Sequence, residues 1–534
     1  MLLAGLTGAA VGLLVAGFDT VASEVLLQGV LDLPLGLGAV APAIGLLVAV
    51  AALRFAGRGV GPATSDEYIR AFHEPQGRLP LRAVPPRVLA ALATLGSGSP
   101  LGYEGPSLYL GAALGSAVQR LLPRRFTVDD AKLLLVAGAA AGVAAIFKAP
   151  LSGIVFALEV PYLEDLARRA LLPASISAAA SYVVFASIAG TEPILPVAGQ
   201  PPFNLVDLGG AAAVGLVCGI LARLFVAIIT MAKRLTATGR PYLRAVSAGV
   251  VLGTIVLPGS AVPGGDGLTL GPGYEAIRWS LDPDRSLWAI VALGTLRVAG
   301  TGAAIAGGGV GGLFIPLVVQ GALVGRTVGG VVGVGDTSLF PLVGMAAFLG
   351  AGYRVPLAAV VFVAESTGRP GFVVPGVIAA VVAQLVMGRA SISPYQAPAR
   401  MGHLERRLAL PVATVLVSDG PTTGPDATLE SLFWAHLAPG GQQSVPVVEG
   451  DDYLGIVTTT DLASVPWDRW KATTVESVMR RDLPVAAPDW LLSRAIGVMG
   501  EQGVGLLAVC GADGRFVGTV ASADLVRLDE LLEE

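Results

Sequence analysis

A single carboxylate stands inside a glycine-rich apolar stretch at residues 102–106, which read GYEGP. Glu104 is costly in such surroundings, and ionisable groups in membrane segments usually serve a function. If a helix begins here, its free main-chain N–H groups carry partial positive charge and attract anions. The Glu104 carboxylate could then occupy an anion site and leave it on protonation or when an anion competes. The alternative interpretation is a helix-dipole partner at the membrane surface.

A second segment, residues 307–316, reads GGGVGGLFIP and has the same chemistry. Glycines just before a helix leave its first amides uncovered. A proline in the first turn favours the start of a helix, because the N–H that it lacks would have no partner within the helix. Gly105 and Gly312 are therefore candidate anion-binding residues. Because no fixed lysine takes part, a bound ion could leave again.

The two segments belong to an internal repeat. Residues 105–115 align with 315–325 at an offset of 210, and residues 138–159 align with 344–365 at an offset of 206. Duplicated membrane halves with interrupted helices are typical of transporters, whose binding site lies near the midplane where the repeats meet. These matches alone leave open whether the repeats are parallel or inverted.

The elements that must position these residues are membrane helices. Of the 534 residues, 54% are hydrophobic and 14% are charged, whereas soluble proteins carry about 25% charged residues. Many apolar runs in residues 1–400 are shorter than the roughly 20 residues of a simple span and are broken by glycine and proline. This region is predicted to form an all-α multi-span membrane domain of short, tilted helices. Glu159 and Glu365 end the repeated helices, and we expect them to have a structural role in capping or pairing near an interface.

Residues 401–534 have a different composition, with 19 acidic and 9 basic residues, and are predicted to be a soluble domain. Within them, residues 455–462 (GIVTTTDL) align with 518–525 (GTVASADL) at an offset of 63. Each copy, 401–468 and 469–534, contains β-rich runs and a final helix begun by aspartate, which indicates an α+β unit. The acidic balance argues against nucleic acid as a partner.

Composition also excludes other classes of function. The three histidines and two cysteines are scattered along the chain, which argues against a metal site. An enzyme inside the membrane needs a nucleophile with a base or a metal set, and the scarcity of histidine argues against one. A cation carrier would require several buried carboxylates per repeat, and the apolar runs supply too few. A transporter of small anions that requires no cofactor remains.

These motifs resemble those of the CLC family of chloride channels and chloride/proton antiporters. Residues 102–106 are similar to the family's G-[K/R]-E-G-P motif, residues 312–316 to G-x-F-x-P, and residues 354–365 to its R-x-P-L segment with a following glutamate. The resemblance covers nearly the whole chain. It implies an inverted repeat, a homodimer in the cell membrane with one chloride pathway per subunit, and Glu104 as the gating glutamate.

The resemblance also implies a set of anion ligands. The main-chain N–H groups of Leu313 and Phe314, with the hydroxyl of Tyr395, would hold the central anion. Two residues depart from the family pattern: residues 57–62 (GRGVGP) lack the serine of the family's G-S-G-x-P motif, and Tyr103 stands where lysine or arginine is usual. The first departure leaves the choice among chloride, nitrate and fluoride open.

A third departure concerns proton coupling. Many antiporters of the family carry a proton-transfer glutamate immediately after the position of Glu159, and here that residue is Val160. Valine cannot pass a proton, and family channels also have valine there, although some exchangers lack the glutamate. The sequence therefore slightly favours passive, channel-like conduction, with coupled chloride/proton antiport as the alternative.

The tail resembles a pair of CBS domains, which many CLC proteins carry on the cytosolic side. In CBS domains the closing aspartate can bind a nucleotide ribose, with a threonine or serine three residues earlier near the phosphates. The resemblance implies Thr458, Asp461 and Asp524 as candidates for binding an adenine nucleotide, with Ala521 in place of the second hydroxyl. An aspartate at a helix start is also an ordinary N-cap, so both interpretations stay open.

Overall fold

The computed structural model describes residues 1–74, 77–121, 132–195, 204–237, 239–261, 267–332, 338–399, 408, 410–438 and 443–521. The chain divides into two compact units, Met1–Arg400 and Met401–Glu534. This division coincides with the boundary that the charge distribution predicts.

The described part of the first unit is helical. Its α-helices are α1 (Leu2–Asp19), α2 (Gln28–Leu31), α3 (Leu35–Ala51), α4 (Ser65–His73), α5 (Val84–Gly96), α6 (Glu104–Leu121), α7 (Leu133–Ile146), α8 (Pro150–Glu159), α9 (Leu171–Ala189), α10 (Leu205–Thr236), α11 (Pro241–Ser260), α12 (Tyr274–Ser280), α13 (Leu287–Ala306), α14 (Phe314–Val332), α15 (Leu339–Tyr353), α16 (Pro356–Thr367) and α17 (Val373–Met387). Among the described residues, eight helical segments are long and apolar enough to cross a membrane, and four apolar helices have only 10–17 residues. The short ones are α7 and α8 and their repeat partners α15 and α16. The predicted multi-span fold with short helices is confirmed.

The two repeats pack through equivalent glycines. A Cβ atom on Gly111 of α6 would lie 2.1 Å from the main-chain oxygen of Gly138 in α7, and one on Gly321 of α14 would lie 2.2 Å from that of Gly344 in α15. No side chain fits at such distances, so glycine allows the helices of each pair to approach closely. Many glycines of this unit therefore serve packing.

The repeats also share an unusual backbone conformation. Lys148 and Arg354 have φ values of 49° and 57°, a left-handed conformation that costs energy for residues with a Cβ. Two residues later, Pro150 and Pro356 open α8 and α16, where proline is well suited to the first helical position. The sharp link between helices is thus built in the same way in both halves.

Glu159 and Glu365 cap each other's helices. The carboxylate of Glu159, at the end of α8, accepts two main-chain hydrogen bonds of 3.2 and 2.8 Å from the first turn of α16. The carboxylate of Glu365, in α16, accepts two of 3.0 and 2.7 Å from the first turn of α8. The donors are Leu357 and Ala358 for Glu159, and Leu151 and Ser152 for Glu365. Since first-turn amides have no partner within their own helix, the structural role predicted for both glutamates is confirmed.

Replacement of Glu159 by glutamine is expected to destabilise the first unit by about 1.5–3 kcal/mol, the usual contribution of a hydrogen bond to a charged group. Glutamine keeps the shape of the side chain but has one acceptor oxygen where the carboxylate offers two. The free energy of unfolding in detergent would measure the loss. Glu275, whose side chain is 72% exposed, is the control: Glu275→Gln should change stability by less than about 0.5 kcal/mol. Equal stability of the two variants would contradict the capping role.

The second unit contains two antiparallel hairpins and short helices in its described part. Strand β1 (Ser444–Glu449) pairs with β2 (Asp452–Thr458), and β3 (Leu506–Cys510) pairs with β4 (Phe516–Ala521). The α-helices are α18 (Leu429–Leu432), α19 (Thr459–Ala463) and α20 (Leu492–Gln502). The predicted α+β character of the tail is confirmed.

The two sequence copies of the second unit exchange segments. Val412, from the start of the first copy, is buried in the core formed around β3 and β4. Val475 and Met479, from the start of the second copy, are buried in the core formed around β1 and β2. The boundary at 468 and 469 therefore separates the repeated sequences, whereas the hydrophobic cores tie the two copies into one pair.

Candidate anion site

The starts of α6 and α14 meet directly. The Gly102 N–H donates to the Gly312 oxygen at 2.9 Å, and the Gly312 N–H donates to the Gly102 oxygen at 2.7 Å. This pair forms an antiparallel bridge. The two segments of the chain therefore run in opposite directions where they enter the repeat-related helices. The two glycine-rich segments that the sequence singled out are thus brought together.

The side chain of Glu104 lies between these two helix starts. Its Oε1 accepts a hydrogen bond of 2.7 Å from the Phe314 N–H. The residue is 1% exposed, and its Oε2 has no hydrogen-bond partner among the residues that the structure describes. The carboxylate therefore accepts a hydrogen bond from one of the two amides that the family resemblance assigns to the anion.

Glycine is required around this carboxylate. A Cβ atom on Gly102 would lie 1.8 Å from Oε2 of Glu104, and one on Gly312 would lie 1.8 Å from Oε1. A Cβ on Gly105 would lie 2.6 Å from Oγ1 of Thr64 and 2.9 Å from the Gly312 nitrogen. The three glycines therefore leave a space for one compact anionic group beside the amides of α14.

A cavity of about 500 Å³ reaches this site from one side; we call it the Tyr353 cavity. Leu313 and Tyr353 line its inner end, and Tyr395 also lines it. Tyr353 is 3% exposed, whereas Tyr395 is 47% exposed. Tyr353 is thus the buried phenol of the cavity that Leu313 also lines, and the role of Tyr395 stays a prediction.

Hydroxyl groups lie close to the site although residues 57–62 contain no serine. Thr64 and Ser65, at the start of α4, are 4% and 8% exposed and line the Tyr353 cavity. The Thr64 hydroxyl lies next to Gly105, and Ser65 lines the cavity together with Tyr353. Sequence comparison missed both because they follow the expected segment by two and three positions.

A second cavity of about 350 Å³, the Tyr103 cavity, is lined by the residue that precedes Glu104. Tyr103 and Tyr274 line it together with Lys148, Arg278 and Asp19. Tyr103 stands next to Glu104 where the family motif has a positive charge, and Lys148 and Arg278 supply positive charge elsewhere in the same cavity. Glu104 lies between Tyr103, in one cavity, and Leu313, in the other.

Arg297 is a site residue that the sequence did not reveal. Its buried guanidinium donates to the main-chain oxygens of Leu268 (2.6 Å), Gly271 (2.9 Å) and Pro272 (2.8 Å). This segment lines the Tyr103 cavity. Arginine suits the position because one guanidinium presents several donors in a fixed geometry, and the signal available in the sequence was a lone charge within an apolar helix.

Val160 is fully buried, and its main-chain oxygen accepts a hydrogen bond of 2.9 Å from Nε2 of Gln396. Its side chain has no group that can carry a proton. The position where many family antiporters have a carboxylate is therefore a packing position in this protein.

In the second unit, Thr458 and Asp461 bind each other at the start of α19. Oδ2 of Asp461 accepts from the Thr458 N–H at 2.8 Å and from its Oγ1 at 2.6 Å, and the Asp461 N–H donates to Oγ1 at 3.3 Å. This is a capping box, which satisfies amides that the helix leaves free. Asp524, the third nucleotide candidate, lies outside the described residues.

Paired helix starts at the junction of two membrane repeats define a membrane transport protein. The sequence profile described as voltage gated chloride channel matches residues 44–388, and the chain belongs to this family. A CBS domain profile matches residues 475–530.

Individual relatives agree with this assignment. An H(+)/Cl(-) exchange transporter ClcA of Vibrio cholerae is 29% identical over 328 residues, which cover 58% of this chain and 68% of the relative. A protein of Ralstonia nicotianae described as a ClcB-like chloride channel protein is 27% identical over 391 residues, covering 70% and 87% of the two chains. The solved structure of a eukaryotic CLC transporter superposes with a TM-score of 0.63 at 18% identity and covers 98% of this chain and 97% of its own. This last similarity establishes the fold.

Proposed function

We propose that this protein exchanges chloride for protons across a membrane. In this proposal the Glu104 carboxylate takes up the proton and competes with chloride for the same site. The observation that carries the proposal is the Glu104 carboxylate on the Phe314 amide, because a carboxylate can leave that amide either by protonation or by displacement. The name of the Vibrio cholerae relative, an exchange transporter, supports coupled exchange over the passive conduction that Val160 slightly favoured. The interpretation of Val160 as a mark of a channel is therefore revised.

The chemistry of the site fits a small anion. Helix-start amides carry partial positive charge, and the Phe314 amide faces the space that the glycines leave beside Glu104; we propose that the Leu313 amide is the second anion ligand. No lysine or arginine among the described residues hydrogen-bonds the Glu104 carboxylate, so an anion would bind weakly enough to be released. We propose Gly105 and Gly312 as the walls of this site and Tyr395 as a ligand further along the Tyr353 cavity.

We propose that the Tyr353 cavity opens to the cytoplasm. Residues 391, 392, 394 and 395 line it and follow the last membrane helix, α17, so they precede the CBS unit in the chain. Lys233 and Arg234, at the end of α10, line the same cavity, and cytoplasmic membrane ends carry an excess of such residues. The CBS pair would then be cytoplasmic, and the Tyr103 cavity would face the opposite side.

Simultaneous measurement of chloride and proton movement in proteoliposomes tests the exchange. An outward chloride gradient with no proton gradient should drive protons inward against their own potential, at a fixed ratio to chloride. Chloride movement without protons would establish the passive channel, the second candidate that Val160 supports. Vesicles without protein are the control for leakage of either ion.

We propose a homodimer, as the family resemblance implies. The exposed faces of α16 and α17 carry large apolar side chains, including Leu357 (54% exposed), Val381 (50%) and Leu385 (77%). Such faces in a membrane protein contact lipid or a second copy. Chemical cross-linking in membranes should give a species of twice the subunit mass, and a monomer alone would contradict the proposal.

We propose that the CBS pair binds an adenine nucleotide through Asp461, with Thr458 near the phosphates. Binding would exchange the hydrogen bonds of the capping box for bonds to the ribose, so the affinity should be modest. Calorimetric titration of the full chain with ATP should give saturable heat, which Asp461→Asn should weaken about tenfold, the loss expected from removing one charged hydrogen-bond partner. Asparagine is also a good N-cap, so α19 is retained. No heat with the unaltered protein would leave Asp461 as a helix cap only.

A further inference from the structure

An open cavity of about 600 Å³ lies between the helical turn that extends α3, residues 52–56, and the start of α11; we call it the Arg240 cavity. Arg54 and Arg240 line it, together with Tyr242, Leu243 and Val246. Both arginines are exposed. Within the part of the chain that the structure describes, neither guanidinium has a hydrogen-bond partner or an ion-pair partner. Two cations without a counter-ion therefore share one cavity.

The packing of α3 against α11 places the two arginines at the same membrane surface. A Cβ atom on Gly249 of α11 would lie 2.5 Å from the Cα of Ala43 in α3, and one on Gly253 would lie 2.8 Å from the main-chain oxygen of Ala39. The contacts advance along α11 as they go back along α3, so the two helices are antiparallel. Both belong to spans long and apolar enough to cross a membrane. The end of the first span and the start of the second, which carry the arginines, thus lie side by side at one surface.

The sequence around the Arg240 cavity supplies positive charge without acidic residues. Residues 33–65 and 208–265 contain seven basic side chains and no aspartate or glutamate. A single arginine at the end of a span is an ordinary interfacial anchor. Two unpaired arginines in one cavity, within sequence free of carboxylates, form a site of positive potential that attracts an anionic headgroup.

Apolar side chains continue from the cavity along both helices. On α11 the exposed side chains include Leu243, Val246 and Val250, and on α3 they include Ile44 and Val48. Residues three, four or seven positions apart lie on one face of a helix, so each helix presents an apolar stripe toward the hydrocarbon of the membrane. A ligand that suits the whole surface has a charged group at the arginines and apolar chains along these stripes.

We propose that the Arg240 cavity binds an anionic phospholipid, with its phosphate between Arg54 and Arg240 and its acyl chains along the exposed faces of α3 and α11. Guanidinium groups suit phosphate because they present several donors in a planar arrangement to its oxygens. Tyr242 also lines the cavity, and tyrosine is enriched where membrane spans meet the headgroups. This inference is independent of the proposed exchange of chloride for protons.

The test is the binding of a fluorescent phosphatidylglycerol to the full-length protein in micelles of a neutral detergent. Unlabelled phosphatidylglycerol should displace the probe, and phosphatidylcholine should do so at least about tenfold less well. Arg54→Gln combined with Arg240→Gln should weaken binding of the probe at least about tenfold, because each basic residue near an anionic lipid contributes roughly fivefold. The matched control is Arg82→Gln combined with Arg389→Gln. It removes two exposed arginines that do not line the cavity and should keep the affinity of the unaltered protein.

Three results would overturn the inference. Equal displacement by phosphatidylcholine would show that the surface selects acyl chains and not charge. Displacement by glycerol 3-phosphate, which is soluble and has no acyl chain, would show a site for free phosphate. Unaltered affinity in the variant of Arg54 and Arg240 would leave both residues as interfacial anchors.

A further measurement with the unaltered protein decides the question if the double variant does not fold. Phosphatidylglycerol that carries a photoreactive headgroup should form cross-links with residues 52–56 or 239–246, located by mass spectrometry of the peptides. Cross-links confined to other segments of the chain would contradict the proposed site.

Discussion

Glu104→Gln is expected to raise chloride flux by about tenfold, to abolish proton coupling and to flatten the dependence of flux on pH. Glutamine has nearly the shape of glutamate but carries no charge, so it competes less well with an anion for the Phe314 amide. Hydrogen bonds to charged groups contribute about 1.5–3 kcal/mol, and 1.4 kcal/mol corresponds to tenfold in occupancy. Chloride efflux from proteoliposomes at a series of pH values measures both effects.

The control for Glu104→Gln is Glu365→Gln, which makes the same chemical change at a helix cap. Its chloride flux per folded protein should keep the dependence on pH of the unaltered chain. If Glu104→Gln also left the flux and its pH dependence unaltered, Glu104 would be a partner of the helix dipole and the gating role would be lost.

Gly102→Ala is expected to mimic Glu104→Gln although it leaves the carboxylate in the chain. The added methyl group would lie 1.8 Å from Oε2 of Glu104, and the three atoms nearest to it all belong to the Glu104 side chain. The flexible side chain must therefore move off the Phe314 amide, and chloride flux measured in proteoliposomes should rise by about tenfold for the reason given above.

Two comparisons make the Gly102→Ala experiment decisive. Gly17→Ala adds a methyl group that has no atom within 4 Å and should behave as the unaltered protein. Combining Gly102→Ala with Glu104→Gln should add nothing to either change alone, because both act on one contact. Additive effects would show that Gly102→Ala acts elsewhere and not through the gate.

The sequence was sufficient for the main elements of the site because its signals are local. Glycine and proline around Glu104 and Gly312 predict helix starts with open amides, and the offset of 210 predicts that these starts are equivalent. The offset of 206 pairs Glu159 with Glu365 and predicts a common structural role. Each of these inferences depends on residue types within one short segment or on the alignment of two segments.

The features that could not be predicted from the sequence depend on contacts between segments that are distant in the chain. Tyr353 lines one cavity with Leu313 and Ser65, which come from separate segments of the chain, and nothing within its own apolar segment distinguishes it from a packing tyrosine. The contacts of Arg297 with three main-chain oxygens require a loop that comes 25 or more residues earlier in the chain. Likewise, the repeat of the tail predicts two copies, while the burial of Val412 in the core of the second copy follows only from their folding together.

The most direct test of the central claim is a crystal structure of Glu104→Gln grown in bromide, with the bromide located by its anomalous scattering. The claim is that the amides of two repeat-related helix starts form the anion site and that the Glu104 carboxylate competes for it. We predict a bromide peak at the amides of Leu313 and Phe314, beside Gly105, which is weaker or absent in the unaltered protein. A map with bromide elsewhere along the pathway, and none at these amides in either protein, would contradict the claim.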